Sequence, residues 1–355
     1  MRVVVAMSGG VDSSVAAGLL VEQGHEVIGV HMKLHDQAVS AVKAKSCCGL
    51  DDALDARVVA DKLDIPFYVM NLKAAFKKAV INDFVDSYKA GATPNPCIQC
   101  NGVLKFKVLM ARAVALGADA LATGHYAQVE HGADGPMLLA AVDPGKDQSY
   151  FLFPISTDAL TKTLFPLGGM TKAEVRAHAK RLGMVTADKP ESQDVCFVPD
   201  DDHARLVKEM HPDVDASGEI VNEAGDVLGY HDGYYRYTVG QRKGLGIALG
   251  KPAYVLSVDP KTARVVVSTD ADRLLHQGLI AARCNWFDRP TPDDVVHVRI
   301  RHRGALIPCT ISDGDVPTVQ FHEAGRAVAP GQAAVFYRGD TVLGGGFITK
   351  ALEAA

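Results

Sequence analysis

Serines, two glycines and an aspartate near the N-terminus form the strongest candidate site of the sequence. They make up the heptapeptide SGGVDSS, Ser8–Ser14, between an apolar segment at 2–6 and a helical pattern. The glycines let the backbone pass close to an anion, and a helix start offers unpaired N–H groups and a positive dipole end. The serine hydroxyls can donate to phosphate oxygens, whereas Asp12 is better suited to act through Mg²⁺. Because the Walker A lysine is missing, the segment predicts another kind of phosphate loop.

Three cysteines are candidates for reactive thiols. Cys97 and Cys100 form a C-x-x-C pair in TPNPCIQCN, where Pro94 and Pro96 predict an extended, rigid loop between two helical segments. Cys196 lies far along the chain, in ESQDVCFVPD. One such thiol can carry a persulfide sulfur, and a second can release it by disulfide exchange. This set therefore indicates chemistry at sulfur.

The other four cysteines are weaker candidates. Cys47 and Cys48 form a third cluster, for which a function is less favoured. Cys284 and Cys309 lie in predicted strands, where a lone cysteine is usually a small buried apolar residue. Seven cysteines, an odd number in a long chain, do not fit a secreted disulfide framework.

Alternating strands and helices must position the phosphate loop. The predicted strands are 2–6, 26–34, 66–71 and 120–123, and the predicted helices include 12–23, 50–63 and 172–182. This alternation predicts a parallel sheet with helices on both faces, continuing to about residue 200.

The pattern changes after about residue 202. Residues 217–230 and 253–268 predict two hairpins, and short strands punctuated by Gly, Pro and Asp follow from about 279. We therefore predict an α/β protein with an N-terminal parallel-sheet domain, a small β-rich central domain and a C-terminal β-barrel. The predicted domain ranges are 1–202, 203–270 and 271–355.

Composition excludes several classes of protein. The 355 residues are 48% hydrophobic and 22% charged, which is enough apolar content for ordinary cores and unlike a disordered tail. No apolar run reaches the length of about 18 residues that a membrane span needs, and the five-residue apolar start is too short for a secretory signal. We therefore expect a cytoplasmic protein. The net charge of −5 does not favour a polyanion partner, but basic stretches at 87–118, 233–258 and 299–303 can bind nucleic acid locally.

The SGGVDSS segment resembles the pyrophosphatase loop of the N-type ATP pyrophosphatases, the PP-loop superfamily. The resemblance implies cleavage of ATP between the α and β phosphates and adenylylation of a carbonyl oxygen. A sulfur attacking the same carbon would then replace the oxygen. Two alternative functions stay open. One is an amide-forming ligase, which would need an ammonia source that the sequence does not suggest. The other is a non-catalytic RNA-binding protein that senses nucleotide.

Over essentially its whole length the sequence is similar to the tRNA-specific 2-thiouridylase family. Seven segments in the right order carry the resemblance: SGGVDSS, GVHMK, TPNP-x-x-x-CN, TGHYA, KDQSYFL, ESQDVCF and YTVGQRKGLGI. It implies a sulfurtransferase that uses ATP to thiolate carbon 2 of the wobble uridine in the tRNA anticodon stem-loop. A sulfur-donor protein, such as a cysteine desulfurase or a relay protein, would be its partner.

The resemblance also implies roles for individual residues. Cys100 would be the nucleophile and Cys196 the persulfide carrier. ATP and Mg²⁺ would bind at Ala6, Met7, Ser8, Gly9, Gly10, Val11, Asp12, Ser13, Ser14, Met32 and Gly124. The tRNA would be contacted by Asn95, Pro96, Cys97, His125, Lys146, Asp147, Gln148, Arg301, His302 and Gln332.

One residue departs from the family pattern. Much of the family has an aspartate at the position of Cys97. With cysteine there, Cys97, Cys100 and Cys196 would make three ligands of a 4Fe-4S cluster whose open iron holds a hydrosulfide. The sequence thus leaves two sulfur-transfer mechanisms open, one through this cluster and one through a persulfide.

Overall fold

The computed structural model describes residues 1–35, 50–133, 135–190, 195–198, 202–212 and 214–353. Cys47, Cys48 and the ESQD part of the ESQDVCF motif lie outside the described residues. The chain folds into two compact units. The first comprises Met1–Ile81, Cys97–Asp201 and Gly339–Val342, and the second comprises Asn82–Pro96, Asp202–Arg338 and Leu343–Ala355.

The first unit is built on a five-stranded parallel sheet in the order β3-β2-β1-β4-β7. Its strands are β1 (Arg2–Ala6), β2 (Glu26–Lys33), β3 (Phe67–Asn71), β4 (Ala120–Thr123) and β7 (Thr163–Leu164). The central strand β1 is buried from Val3 to Ala6, as expected for a strand covered on both faces. The hairpin β5 (Gln128–Gly132) and β6 (Gly135–Leu139) pairs with Thr341 and Val342.

Helices connect the strands of this sheet. They are α1 (Val11–Glu22), α2 (Leu50–Lys62), α3 (Lys73–Phe76), α5 (Pro96–Gln99), α6 (Met110–Ala115), α7 (Thr157–Thr161) and α8 (Lys172–Arg181), with π-helical segments at Lys77–Ile81 and Cys100–Leu109. Thr171 begins α8 with a capping box: its hydroxyl accepts from the N–H of Glu174, whose carboxylate accepts from the N–H of Thr171. A core of valines, alanines and leucines joins α1, α2 and α8 to β1.

The described part of the second unit contains two β structures and the α-helices α4 (Asn82–Lys89) and α9 (His203–Met210). The first is a four-stranded sheet in the order β10-β11-β8-β9, made of β8 (Gly218–Val221), β9 (Val227–His231), β10 (Tyr254–Asp259) and β11 (Arg264–Ser268). The second is a six-stranded barrel in the order β12-β15-β14-β13-β16-β17, which closes where β17 pairs with β12. Its strands are β12 (Leu275–Trp286), β13 (Val296–Arg299), β14 (Ile307–Ile311), β15 (Thr318–Arg326), β16 (Ala333–Arg338) and β17 (Thr341–Leu352).

The predicted fold class is confirmed: a parallel-sheet unit comes first, and a β-rich centre and a closed barrel follow. The three domain ranges stay a prediction, and residues 82–96, predicted as part of the first domain, group with the second unit. Among the described residues, no helix combines the length and apolar character that crossing a membrane requires.

Candidate active site

The SGGVDSS segment forms the turn from β1 into α1. Gly9 has φ +80°, and a Cβ there would lie 2.1 Å from the backbone oxygen of Asp52. Only glycine meets both constraints, because the left-handed region strains other residues and the neighbouring backbone leaves no room. The N-cap of α1 is Gly10, which has no side chain to occupy the first N–H groups of the helix. These amides can therefore receive an anion.

Serine hydroxyls fix the shape of this turn. Ser13 Oγ accepts from the N–H of Ser8 at 3.1 Å and lies 3.2 Å from Ser8 Oγ. Ser14 Oγ donates to the carbonyl oxygen of Gly10 at 2.8 Å. Ser13 and Ser14 are buried and Ser8 is exposed. The buried hydroxyls thus shape the loop, and Ser8 is the hydroxyl open to a ligand.

Lys189 fastens the turn to α2. Its ammonium donates to the carbonyl oxygen of Gly9 at 2.9 Å and to carboxylate oxygens of Asp52 and Asp55 at 2.6 Å each. Burial lowers the pKa of Lys189, but the hydrogen bonds and charges of the two aspartates outweigh it, so the pKa is raised and the amine stays protonated. The Gly9 peptide is therefore held by a fixed positive charge.

Asp12, in the first turn of α1, is paired with a lysine. Lys172 Nζ lies 2.7 Å from Asp12 Oδ1 and 2.9 Å from Oδ2, and the Tyr126 hydroxyl donates to Oδ1 at 2.8 Å. The Lys172 side chain is 12% exposed and that of Asp12 is 30% exposed. The expected role of Asp12 through Mg²⁺ stays a prediction, since the structure shows the carboxylate with Lys172 and Tyr126.

Gly124 brings the end of β4 against α1. A Cβ on Gly124 would lie 2.6 Å from the backbone nitrogen of Ser13, so only glycine allows this approach. The next residue, His125, lies with Nδ1 2.6 Å from Thr123 Oγ1 and Nε2 3.3 Å from Lys105 Nζ. Burial, followed by the Lys105 charge, lowers the pKa of His125 well below its ordinary value, so the ring is neutral.

The structure corrects the predicted loop around Cys97 and Cys100. Pro96 begins helix α5 instead of holding the chain extended, so Cys97 lies in α5 and Cys100 begins the π-helical segment. Proline fits a first helical turn because its missing N–H would have no partner there. Cys97 is exposed and Cys100 is partly buried.

Cys100 and Cys196 pack against the same apolar cluster, although 96 positions separate them in the sequence. The buried members of this cluster are Leu34, Leu72, Phe76, Val80 and Leu104. Met32 also packs there, and the ring of Phe197, next to Cys196, meets Phe76 edge-on at 5.5 Å. The structure thus brings both proposed sulfur-handling cysteines to one region of the first unit.

The three-cysteine metal site is not assembled. Among the described residues, no group of three or more His, Cys, Asp or Glu is arranged to hold a metal ion. The three cysteines therefore do not fit a 4Fe-4S cluster in this structure.

Comparison with known proteins gives the family. Residues 1–200 match the family described as the tRNA methyl transferase HUP domain. Residues 206–269 match the tRNA methyl transferase PRC-barrel domain, and 276–348 match the aminomethyltransferase beta-barrel domain. A tRNA-specific 2-thiouridylase of Geotalea uraniireducens is 53% identical, over 99% of this chain and 96% of its own. This chain belongs to the tRNA-specific 2-thiouridylase family. The corresponding protein of Geobacter metallireducens is 51% identical over 99% and 97% of the two chains, and that of Rhodospirillum centenum 48% over 99% and 92%.

The family resemblance inferred from seven motifs is thereby confirmed, but the individual residue roles stay predictions. Asp147 is buried, and its carboxylate accepts from the N–H groups of Ala141 and Ser149 and from the Ser149 hydroxyl. Gln148 accepts from the N–H of Tyr126 at 3.0 Å. These two side chains shape the 2-thiouridylase fold around Tyr126, and the tRNA contacts predicted for Asp147 and Gln148 stay predictions.

The remaining predicted tRNA residues fall in both units. Lys146 lies in the first unit, whereas Asn95, Pro96, Arg301, His302 and Gln332 lie in the second. Arg301 is exposed in a turn, as a phosphate contact requires. Gln332 instead donates to the carbonyl oxygen of Thr93 at 3.0 Å, close in sequence to Asn95. It therefore positions the chain that leads to the cysteines.

Three residues of this 2-thiouridylase site are not predicted from the sequence: Lys172, Lys189 and Tyr126. Tyr126 lies within the TGHYA motif, so this motif could have indicated it. The lysines contact the loop from 160 and 180 residues away. A capping-box threonine directly before Lys172 indicates where its helix begins. The neighbouring sequence does not indicate that Lys172 contacts Asp12.

Proposed function

We propose that this protein is an ATP-dependent tRNA-uridine 2-sulfurtransferase that thiolates the wobble uridine. One observation carries the proposal: the unit that holds the SGGVDSS turn also holds Cys100 and Cys196 against one apolar cluster. An adenylylating loop and two thiols in one unit supply both halves of an oxygen-to-sulfur exchange. Relatives named tRNA-specific 2-thiouridylase support this assignment over the full length.

In the first step, carbonyl oxygen 2 of the uracil attacks the α-phosphorus of ATP and pyrophosphate leaves. The first N–H groups of α1, which receive no hydrogen bond from an N-cap side chain, bind the departing phosphates, and Lys172 adds positive charge beside them. Asp12 is the carboxylate at this turn that would hold Mg²⁺, which neutralises phosphate charge when bound. The uracil now carries AMP, a good leaving group, on carbon 2.

In the second step, sulfur replaces that oxygen. The terminal sulfur of a Cys196 persulfide attacks carbon 2, and AMP leaves with the oxygen. The Cys100 thiolate then attacks the Cys196 sulfur, which frees 2-thiouridine and forms a Cys100–Cys196 disulfide. An external thiol reductant restores both cysteines, and a sulfur-donor protein, such as a cysteine desulfurase or a relay protein, reloads Cys196. These steps run through thiols alone, since among the residues that the structure describes no three ligands are arranged to hold a metal ion.

The anticodon stem-loop must present an unstacked uridine, since the stack covers carbon 2. We assign Asn95, Pro96 and Cys97 to the target base, and Lys146, Arg301 and His302 to tRNA. The exposed or half-exposed positions of Asn95, Cys97, Lys146, Arg301 and His302 support this, while Pro96 is buried. The family matches at 1–200, 206–269 and 276–348 support the division into domains at 1–202, 203–270 and 271–355. A tRNA-modifying enzyme of this kind would work in the cytoplasm, where its substrate is.

The test is a reconstituted single-turnover assay with unmodified tRNA, ATP, Mg²⁺ and protein whose Cys196 has been loaded with persulfide sulfur by a cysteine desulfurase and cysteine. It is scored for AMP, pyrophosphate and 2-thiouridine by mass spectrometry. Wild type should form AMP only with tRNA. Cys100→Ser should abolish thiouridine while AMP formation persists, whereas Cys284→Ser, a change in the barrel, should preserve both. Release of ADP, or AMP formation that ignores tRNA, would overturn the proposal.

A further inference from the structure

We propose that Lys105 binds a phosphate oxygen of the reacting nucleotides and that His125 positions it. The proposal builds on the proposed function and adds a residue to it. Lys105 is half-buried, and its Nζ lies 3.3 Å from Nε2 of His125. Because an ammonium only donates, Nε2 accepts, and the single ring proton lies on Nδ1, which donates to Thr123 Oγ1 at 2.6 Å. The imidazole is thus a neutral acceptor that aims the ammonium without cancelling its charge.

Lys105 differs from the other lysines of the site in how its charge is balanced among the described residues. Lys172 and Lys189, the other lysines of the site, each contact carboxylates. Within the part of the chain that the structure describes, Lys105 has His125 as its side-chain partner and forms no ion pair. Removing an ammonium from water costs free energy that a neutral imidazole only partly offsets. An anionic ligand is the group that completes this arrangement.

The position of Lys105 connects the thiol helix with the phosphate loop. It lies five residues after Cys100 in the π-helical segment, whose hydrogen bonds span five residues, so the two residues lie on successive turns. Its partner His125 follows Gly124, which approaches the backbone of Ser13. The rings of Phe106 and Phe165 lie 6.2 and 5.9 Å from the His125 ring and hold it in place.

Phosphate is the anion that the proposed reaction brings to this place. It has two sources: the α-phosphate of ATP, later of the adenylylated uridine, and the backbone phosphate of the target nucleotide. Both offer oxygen acceptors to an ammonium, and a charge-assisted hydrogen bond of this kind changes affinity roughly 10- to 100-fold. The two sources differ in which affinity responds to loss of the lysine.

The experiment compares Lys105→Gln with Lys107→Gln, which removes the same charge from an exposed position two residues further along the helix. Equilibrium Kd values for ATP and for unmodified tRNA are measured at several salt concentrations, together with thermal unfolding. An α-phosphate contact predicts ATP binding about 10-fold weaker in Lys105→Gln than in Lys107→Gln. A contact with the tRNA backbone predicts tRNA binding about 10-fold weaker in Lys105→Gln than in Lys107→Gln. The slope of log Kd for tRNA against log salt concentration should then be smaller by about one than in wild type.

Variants of His125 test whether it positions Lys105. His125→Gln keeps an acceptor near Lys105, whereas His125→Leu removes it, so the first should retain more of the phosphate affinity than the second. Lys105→Arg keeps the charge and should bind better than Lys105→Gln. If Lys105→Gln and Lys107→Gln bind ATP and tRNA equally, the inference fails. Because these measurements are affinities, they test the role of Lys105 even if wild type makes no AMP. A lack of AMP would contradict only the proposed function.

Discussion

Lys172 Nζ and Asp12 Oδ1 lie 2.7 Å apart, joining the first turn of α8 to the first turn of α1. The Tyr126 hydroxyl also donates to Asp12, and the Lys172 ammonium lies 5.5 Å from the centre of the Tyr126 ring. Lys172 therefore brings a positive charge to the SGGVDSS turn, and the Asp12 carboxylate and the Tyr126 ring hold the ammonium there. This arrangement suits stabilisation of the negative charge that develops on departing pyrophosphate.

Replacing Lys172 with methionine should slow tRNA-dependent pyrophosphate release by roughly 10- to 100-fold, because a charged donor is lost beside the leaving group. Lys172→Arg keeps the charge and should recover part of the rate. Lys180→Met is the control, since Lys180 is exposed on the same helix and its ion pair among the described residues is a 3.6 Å contact with Asp188. Equal rates for Lys172→Met and Lys180→Met would contradict a role for the ammonium in this step.

Gly124→Ala should weaken ATP binding, because the new methyl group would meet the backbone of Ser13 at 2.6 Å and displace the start of α1. Gly169→Ala provides the control in the same unit, since a Cβ there meets nothing within 4 Å. Calorimetric titration with ATP checks the difference, and circular dichroism verifies that both variants fold. An ATP affinity of Gly124→Ala equal to that of Gly169→Ala would show that the loop tolerates the shift.

Local patterns were enough to place the phosphate loop. The apolar run at 2–6, two glycines and a following helical period specify a strand, a turn and a helix, and β1 and α1 match them within one or two residues. The 217–230 and 253–268 hairpins were found for the same reason: turn residues between apolar runs determine them locally. The family motifs then indicated which cysteines would handle sulfur.

Two features of the site could not be read locally. The π-helical segment from Cys100 has no residue pattern of its own, and Pro96 was read as breaking structure when it begins a helix. Lys189 supports Gly9 from 180 residues away, and such a contact depends on how α2 packs rather than on neighbours in sequence. Pairing of charges across the fold is a tertiary property, so only the structure shows it.

Thiol reactivity should separate the described cysteines. Burial raises the pKa of Cys284 to about 11 and that of Cys309 to about 12, so at pH 8 about one thiol in a thousand or fewer is ionised in either. Cys97 is exposed and should react first with iodoacetamide, and Cys309 should react last. Peptide mass spectrometry over a time course measures the order, with urea-unfolded protein as the control in which the rates converge. Labelling of Cys309 as fast as Cys97 in folded protein would contradict the burial argument.

The neutral His125 ring should make stability depend on pH. Its pKa in the folded protein lies well below the unfolded value of about 6.5, first because of burial and then because of the Lys105 charge. The unfolded chain therefore binds a proton more readily, and the stabilisation present above pH 6.5 is lost as the pH falls toward the folded pKa. Between pH 7.5 and 5.5, wild type should lose about 1 kcal/mol more free energy of unfolding than His125→Gln, measured by urea titration. His131→Gln, at an exposed position, should keep the wild-type dependence. If His125→Gln loses as much stability as wild type, the ring is not held neutral by its surroundings.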